Sequence, residues 1–413
     1  MQSSVHPESD APLAGIRVLA LEHAVSGPFC TRNLADLGAE VIKVERPEVG
    51  DFARNYDNYV YGQSSYFVWL NRSKKSIALD IKSDSVKPIL QKLLDTTDVL
   101  VQNLAPGAAK RLGLDFESIH SSNPRCIVVD ISGYGEKGPF SKRKAYDMLI
   151  QAESGIMSVT GTEETPSRVG ISIADLATGM YAESAILAAL FRRSRTGLGS
   201  NVKIAMLDVL AEWMTHPMYR YAYNGTYVPR MASTHPVIAP YGVHLTMDGS
   251  VIFSVQNERE WENFCNIVLE APMLFSDSRF NSNNARRDNC KELTNIIEEK
   301  FTRLTSIQVT ELLERGGIAS GRLNDAKSIW EHEQLSARDK WRNVTLPNGK
   351  SIRALLPPVE FADVESTMGE VPELGGDTLN ILESLGISNS DISALHKNGV
   401  IGIPNISKLS SEV

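Results

Sequence analysis

The strongest constraint on the fold is an alternation in the first third of the chain. Short β-branched runs, "IRVLAL" (16–21), "AEVIKVE" (39–45), "SIALDI" (76–81), "DVLVQN" (98–103) and "CIVVDISGYG" (126–135), are separated by helix-length segments such as "GPFCTRNLADLG" (27–38) and "SVKPILQKLLDTT" (85–97). Strands joined by crossovers of that length pair in parallel, because a hairpin turn is too short to return the chain in the same direction. The pattern predicts an α/β, Rossmann-like, doubly wound parallel sheet. At 413 residues the chain exceeds one ordinary core, so two domains are expected.

The pattern changes near Thr226. "VHLTMDGSVIFSV" (243–255) reads as a hairpin turning at Asp248 and Gly249, and helical segments follow it to about residue 320. The expected divisions are a flexible N-terminal tail (1–12), a large domain (13–225), a small α+β domain (226–320) and a C-terminal segment (321–413). "LATGMYAESAILAALFRRSRT" (176–196) reads as a long helix with Asp175 just before it and Gly197 as its C-cap.

Charge and composition narrow the function classes. The formal charge of -8 argues against nucleic acid as a partner, and no apolar run reaches the ~20 residues of a bilayer span, so no membrane role is expected. Cys30, Cys126, Cys265 and Cys290 are scattered without CxxC spacing, which predicts buried thiols and no structural metal. The loop after the first strand lacks GxGxxG, so no nicotinamide cofactor is expected. The polar opening has no apolar signal core, and the expected compartment is reducing: the cytoplasm, or the mitochondrial matrix in a eukaryote.

Several polar residues fall at strand ends, where anions bind in open α/β sheets. Arg46 follows the second strand, Arg72, Lys74, Lys75 and Lys82 flank the third, and Asn103 and Arg111 follow the fourth. Together they are compatible with a polyphosphate ligand; singly, each is ordinary surface. Tyr146 and Asp147 head an apolar-periodic helix, as packing residue and cap. Asp175 is either a cap or a desolvated carboxylate nucleophile. Burial among Ile173, Ala174 and Leu176 would raise its pKa and helix N–H groups would lower it.

These residues lie in motifs that resemble a known family. "PLAGIRVLAL" (12–21), "SGPFCTRNLADLGAEVIKVERPEVGD" (26–51), "NRSKKSIALD" (71–80), "VQNLAPGAAKRLGL" (101–114), "AYDMLIQAESGIMSVTG" (145–161), "VGISIADLATGM" (169–180) and "RRSRTGLGSNVKIAMLD" (192–208) occur in the order seen in class III CoA-transferases, the formyl-CoA transferase or CaiB-BaiF family. The resemblance is dense to about residue 210 and loose beyond. It implies a large domain built from the N-terminal half plus the C-terminal segment, a small domain between them, and two chains interlocked as a homodimer.

The resemblance also implies site residues. Asp175 matches the aspartate nucleophile. Val25, Ser26, Arg46, Leu79, Asp80, Ile81, Lys82, Asn103, Leu104, Ala105, Arg111, Lys144, Ala145, Tyr146 and Asp147 match positions that bind coenzyme A. The implied reaction is CoA exchange between an acyl-CoA and a free acid through a mixed anhydride and an aspartyl-CoA thioester, with oxyanion donors near Gly179 or the Ser26-Gly27 turn. Formyl-CoA transferase carries a run of glycines where this chain has "RMASTHPVIAPYGVHLTMDG" (230–249), which looks more like members acting on succinate, mesaconate, itaconate, citramalate or glutarate. Arg230 or His235 would then pair with the distal carboxylate, although His235 before a proline also suits a turn. Succinyl-CoA is the expected donor. Two other readings stay open: an α-methylacyl-CoA racemase, although His23 is not where that relative carries its catalytic histidine, and a CoA-binding homologue without activity.

Overall fold

The computed structural model describes residues 10–366 and 368–404, so most of the expected N-terminal tail lies outside the described residues. The chain divides into two compact units. The first comprises residues up to 156, 169–215 and everything from 339 on; the second comprises 157–168 and 216–338. The second unit thus starts ten residues before the change of pattern at Thr226, reaches past residue 320, and includes a short excursion at 157–168 that local periodicity does not mark.

Six parallel strands form the core of the first unit: β1 (Arg17–Leu21), β2 (Glu40–Glu45), β3 (Lys74–Leu79), β4 (Val99–Gln102), β5 (Ile127–Ser132) and β6 (Asn201–Ala205). Their spatial order is 3-2-1-4-5-6, the doubly wound Rossmann order. In the central strands β1, β4 and β5 successive residues are largely apolar on both faces, which is what a sheet covered on both sides requires, whereas β6, at the edge, exposes Asn201 and Lys203. Val18 and Ala20 pack on one side with Cys30, Leu34 and Ile186, while Leu19 and Leu21 pack on the other with Leu90 and Leu93.

The C-terminal segment completes this sheet. Ile401–Gly402 pairs antiparallel with β3, and upstream of it the side chains of Asp377 and Thr378 accept from the N–H groups of Ser76 (2.8 Å) and Ala78 (3.0 Å). The second unit is built on a three-stranded antiparallel sheet, Tyr241–Leu245, Ser250–Ser254 and Ala319–Arg322, over a core containing Trp261, Phe264, Phe280 and Phe301.

Helices of the first unit that matter for the site are α1 (Ser26–Asp36), α2 (Asp147–Glu153) and α3 (Ile173–Thr196). Helix α3 starts earlier than its sequence suggests, so Asp175 lies inside the first turn rather than before it. It is 24 residues long with a best-window mean hydropathy of 1.3, long and apolar enough to cross a membrane, contrary to the expectation of no such run. Its placement explains the composition. Ala174, Ala177, Ala182, Ile186 and Ala189 are buried in the sheet's core cluster, as the central helix of an α/β layer demands. Cys290 also departs from expectation: it is exposed, whereas Cys30, Cys126 and Cys265 are buried.

Candidate active site

The order 3-2-1-4-5-6 reverses direction between β1 and β4, and ligands of such sheets bind at the carboxyl ends of the strands beside that switch point. Here the two loops at the switch are tied together. The Asn103 side chain accepts from the His23 N–H (2.9 Å) and donates to the His23 carbonyl (2.9 Å). Ala24 follows in the left-handed region (φ 61°), costing a non-glycine residue about 1 kcal/mol, and its N–H is held by Asp51 Oδ1 at 3.2 Å. The chain then enters α1 at Ser26.

A buried cluster of ion pairs supports this loop. Lys43 Nζ lies 2.9 Å from Asp51 Oδ2 and 3.4 Å from Glu22 Oε1, and Lys74 Nζ lies 2.8 Å from Glu22 Oε1 and 3.0 Å from the Pro28 carbonyl. All four charged side chains are fully buried. Burial opposes every one of these charges and the partners oppose burial. The balance leaves Glu22 and Asp51 below the usual carboxylate range and Lys43 above its ordinary value, whereas burial takes Lys74 down to about 8. Arg72 pairs with buried Asp36 (2.7 Å), and Lys75 with Glu40. Arg72 and Lys74 are therefore committed inside the protein and are not the polyphosphate ligands that their position suggested, while Lys75 stays on the surface, paired with Glu40. Arg46, Lys82, Arg111 and Lys144 remain exposed along the same edge of the sheet.

Asp175 sits across from the start of α1. Its half-buried carboxyl accepts from both the hydroxyl and the N–H of Ser26. Burial, and after it the negative charge of Asp147, nevertheless push its pKa up to about 7. Close helix packing makes the contact possible: a Cβ on Gly179, one turn beyond Asp175, would lie 2.8 Å from the Ser26 carbonyl and 2.9 Å from the Phe29 ring. Gly179 is deep enough in α3 that its N–H serves the helix's own ladder, so it is not an oxyanion donor. The first-turn N–H groups of Ser26 and Gly27 have no acceptor within α1, and that of Ser26 is the one that donates to Asp175.

Asp147 does not cap its own helix, as its position in the sequence suggested. Its Oδ1 accepts from the N–H groups of Ala174 (2.8 Å) and Asp175 (3.3 Å), and its Oδ2 accepts from Gln151 Nε2 (2.7 Å). Ser172, the N-cap residue of α3, makes no side-chain cap bond, so Asp147 caps α3 from outside.

The remaining sequence candidates are distributed as follows. Val25 is the buried residue preceding α1, and Leu79, at the end of β3, is fully buried in the core. Asp80 accepts from the Lys82 N–H (3.1 Å) and Ile81 packs on the core. The Leu104 N–H donates to Gln102, Ala105 is exposed, and Arg111 reaches toward Gly107. Ala145 is half-buried and Tyr146 is exposed. All of these stand at the carboxyl end of the parallel sheet.

In the second unit, Arg230 donates through Nε and Nη2 to the carbonyls of Thr162 (2.8 Å) and Glu163 (2.7 Å), which leaves only Nη1 outside those bonds. His235 Nδ1 accepts from the N–H groups of Val237 (3.3 Å) and Ile238 (3.1 Å) while its ring stacks on Tyr241. The remaining proton of the neutral ring is thereby fixed on Nε2.

Sequence reasoning missed a row of half-exposed rings. His23, Phe52, Tyr56, Tyr66, Trp69 and Phe29 follow one another with centroids 5.5 to 6.5 Å apart. The Tyr56 phenol is raised to about 12 by burial and by the charges of Asp51 and Asp175, so it stays a neutral donor beside the site. The aromatic density of "DFARNYDNYVYGQSSYFVWLN" (51–71) was the available signal. Among the described residues no group of acids, histidines and cysteines is placed to hold a metal ion.

Comparison with known proteins converges on one family. The sequence model of CoA-transferase family III matches residues 13–378. The human succinyl-CoA:glutarate CoA-transferase is 34% identical over 403 residues, covering 96% of this chain and 92% of the relative. The acetyl-CoA:oxalate CoA-transferase of Acetobacter aceti is 34% identical over 341 residues, covering 82% and 87%. A crystal structure of a CaiB/BaiF family protein from Brucella suis superposes with a TM-score of 0.83 at 31% identity, covering 91% of this chain and 99% of that one. Glutarate-type and oxalate-type relatives both match at about a third identity, so likeness establishes the reaction class and leaves the acid open; at that level the chain belongs to CoA-transferase family III.

Proposed function

We propose that this enzyme moves CoA from an acyl-CoA, with succinyl-CoA as donor, to a small C4 or C5 dicarboxylic acid of the glutarate, citramalate, mesaconate or itaconate kind. The observation that carries the reading is Asp175, a half-buried carboxyl between two helix N-termini that takes a proton near pH 7. A carboxylate of raised basicity and poor hydration is a better nucleophile than a surface aspartate.

In the first step an Asp175 oxygen bonds to the thioester carbonyl carbon, the C–S bond breaks, and CoA leaves as thiolate, giving a mixed anhydride. The thiolate then bonds to the Asp175 side-chain carbonyl carbon and the donor acid departs as carboxylate. The acceptor carboxylate oxygen bonds to the side-chain carbonyl carbon of the resulting aspartyl-CoA thioester and the C–S bond breaks, giving a second mixed anhydride and CoA thiolate; the thiolate then bonds to the acceptor's acyl carbon and Asp175 departs as carboxylate, regenerated. Each step exchanges leaving groups of similar kind, so no external energy source is needed. The Ser26 hydroxyl and the Ser26 and Gly27 N–H groups are the donors positioned to stabilise the oxyanions.

In this reading the exposed cations Arg46, Lys82, Arg111 and Lys144 hold the CoA phosphates, and backbone at Val25, Leu79–Ile81, Asn103–Ala105 and Ala145–Tyr146 lines its path. His235, through its Nε2 proton, and the free Nη1 of Arg230 bind the acceptor's distal carboxylate. The working form is a homodimer. Supporting it, α3 exposes Met180, Tyr181, Leu187 and Phe191, an apolar row suited to a second chain.

The test is incubation with succinyl-CoA and a panel of acids (glutarate, itaconate, mesaconate, citramalate, oxalate), with acyl-CoA products followed by mass spectrometry. A new dicarboxylyl-CoA is the expected result. Hydrogen exchange at the α-carbon of a branched acyl-CoA without any transfer would replace this reading by a racemase.

A further inference from the structure

The hydrogen bonds of Asp147 leave it in an unusual position. It lies in the first turn of α2, yet its carboxylate is spent on the first two N–H groups of α3 that it can reach and on Gln151. Gln151 is fully buried and its Oε1 accepts from the Val169 N–H (2.8 Å), so the same side chain also fixes the approach to α3. An external cap can be made by a neutral serine or asparagine as well as by an aspartate. A charged group here adds something a neutral cap does not, because the second N–H it holds belongs to Asp175 itself.

The other groups acting on Asp175 are few. Helix α1 contributes the neutral donors of Ser26, and the turn after β2 contributes the Tyr56 phenol, neutral at working pH. The cations of the buried cluster, Lys43 and Lys74, are spent on Asp51 and Glu22. The charge of Asp147 therefore stands against Asp175 without a cation between them.

We propose that Asp147 is the positioning residue of the nucleophile: it caps α3 so that Asp175 faces Ser26, and its negative charge disfavours the free Asp175 carboxylate relative to its acylated forms. The proposal rests on Asp175 being the acyl acceptor. When the mixed anhydride forms, the negative charge leaves Asp175 with the CoA thiolate, and when the thioester forms it leaves with the donor acid; in both covalent states the like-charge repulsion is gone. Asp147 thus favours covalent loading without touching the acyl group.

Two measurements separate this proposal from the reading beneath it. The first needs no activity: a carbon-13 NMR titration of the aspartate carboxyls, with the Asp175 signal assigned by its loss in D175N. The midpoint near 7 in the native enzyme is expected to fall by about one pH unit in D147N. The second is the fraction of enzyme carrying covalent CoA at equilibrium with succinyl-CoA, read by intact mass; it is expected to fall about tenfold relative to free enzyme in D147N, the equivalent of that shift. Asp147→Ser, which avoids placing a second amide donor beside Gln151, repeats both measurements should D147N not fold.

An unmoved titration midpoint in a folded variant overturns the proposal, whatever the activity does. An unmoved midpoint with a raised KM for acyl-CoA would make Asp147 a CoA ligand instead. No covalent CoA on the native enzyme would sink the nucleophile assignment, and the role of Asp147 with it, even if the midpoint moves.

Discussion

Two sets of buried charge flank the loop between β1 and α1, and they are built on opposite principles. Glu22, Asp51, Lys43 and Lys74 form a balanced set in which each acid meets an amine within 3 Å, so the acids stay ionised despite full burial. Asp175 and Asp147 form an unbalanced set, two acids with neutral donors between them, and Asp175 is driven up to about 7. The balanced set holds the loop still. In the proposed reaction the unbalanced set sheds its excess charge only when Asp175 is acylated. Burial alone does not distinguish a structural acid from a catalytic one; the sign of what surrounds it does.

Removing the reactive member has the largest expected effect. Asp175→Ala lowers CoA transfer by at least ~1000-fold while CoA binding, measured by calorimetry, stays within a few-fold of native. Full transfer by this variant would remove Asp175 from the chemistry. Breaking the balanced set attacks stability instead. Lys43→Met strands Asp51 and half of Glu22's compensation, and urea unfolding should show a loss of about 3–5 kcal/mol; a change within error would mean that water already reaches the cluster.

The pH profile sharpens the contrast. On the proposed mechanism Asp175 reacts as the carboxylate, so kcat/KM should rise about tenfold per pH unit below 7 and level off above it, with no matching inflection from the balanced acids, whose pKa values lie below the usual carboxylate range. A flat profile between pH 5 and about 8 would contradict the raised value. The smallest effect is on stability. The folded pKa of Asp175 lies above its ordinary 3.8, so its ionisation costs stability as pH climbs through the interval up to about 7, and the cost persists above it. Asp175→Asn should leave the melting temperature unchanged near pH 4 and raise stability near pH 8 by about 1 kcal/mol, allowing for the solvent that reaches this half-buried group.

The same contrast explains what the sequence discloses. Strand positions were legible because the central strands β1, β4 and β5 are buried on both faces and therefore largely apolar at consecutive positions, a local property. Asp175 was legible as a candidate from its place at a helix start and from the resemblance of its motif. Its electrostatics were not, because the deciding partners, Ser26 and Asp147, come from elsewhere in the chain. Lys74 misled in the same way. In "NRSKKSI" it was compatible with a polyphosphate ligand, and only its pairing with Glu22 across the fold shows it to be interior, beside Lys43 on Glu22 and Asp51. The return of residues 401–402 to the edge of β3 was illegible because two residues are too few to carry a period.

The most direct test of the account is whether Asp175 becomes acylated. Native enzyme would be incubated with succinyl-CoA, quenched with hydroxylamine, which converts an activated aspartyl carbonyl to a hydroxamate, and mapped by peptide mass spectrometry. The account predicts a hydroxamate on Asp175 that requires the acyl-CoA and disappears in D175N; transfer activity with no modification at Asp175, or modification at a different residue, would contradict it.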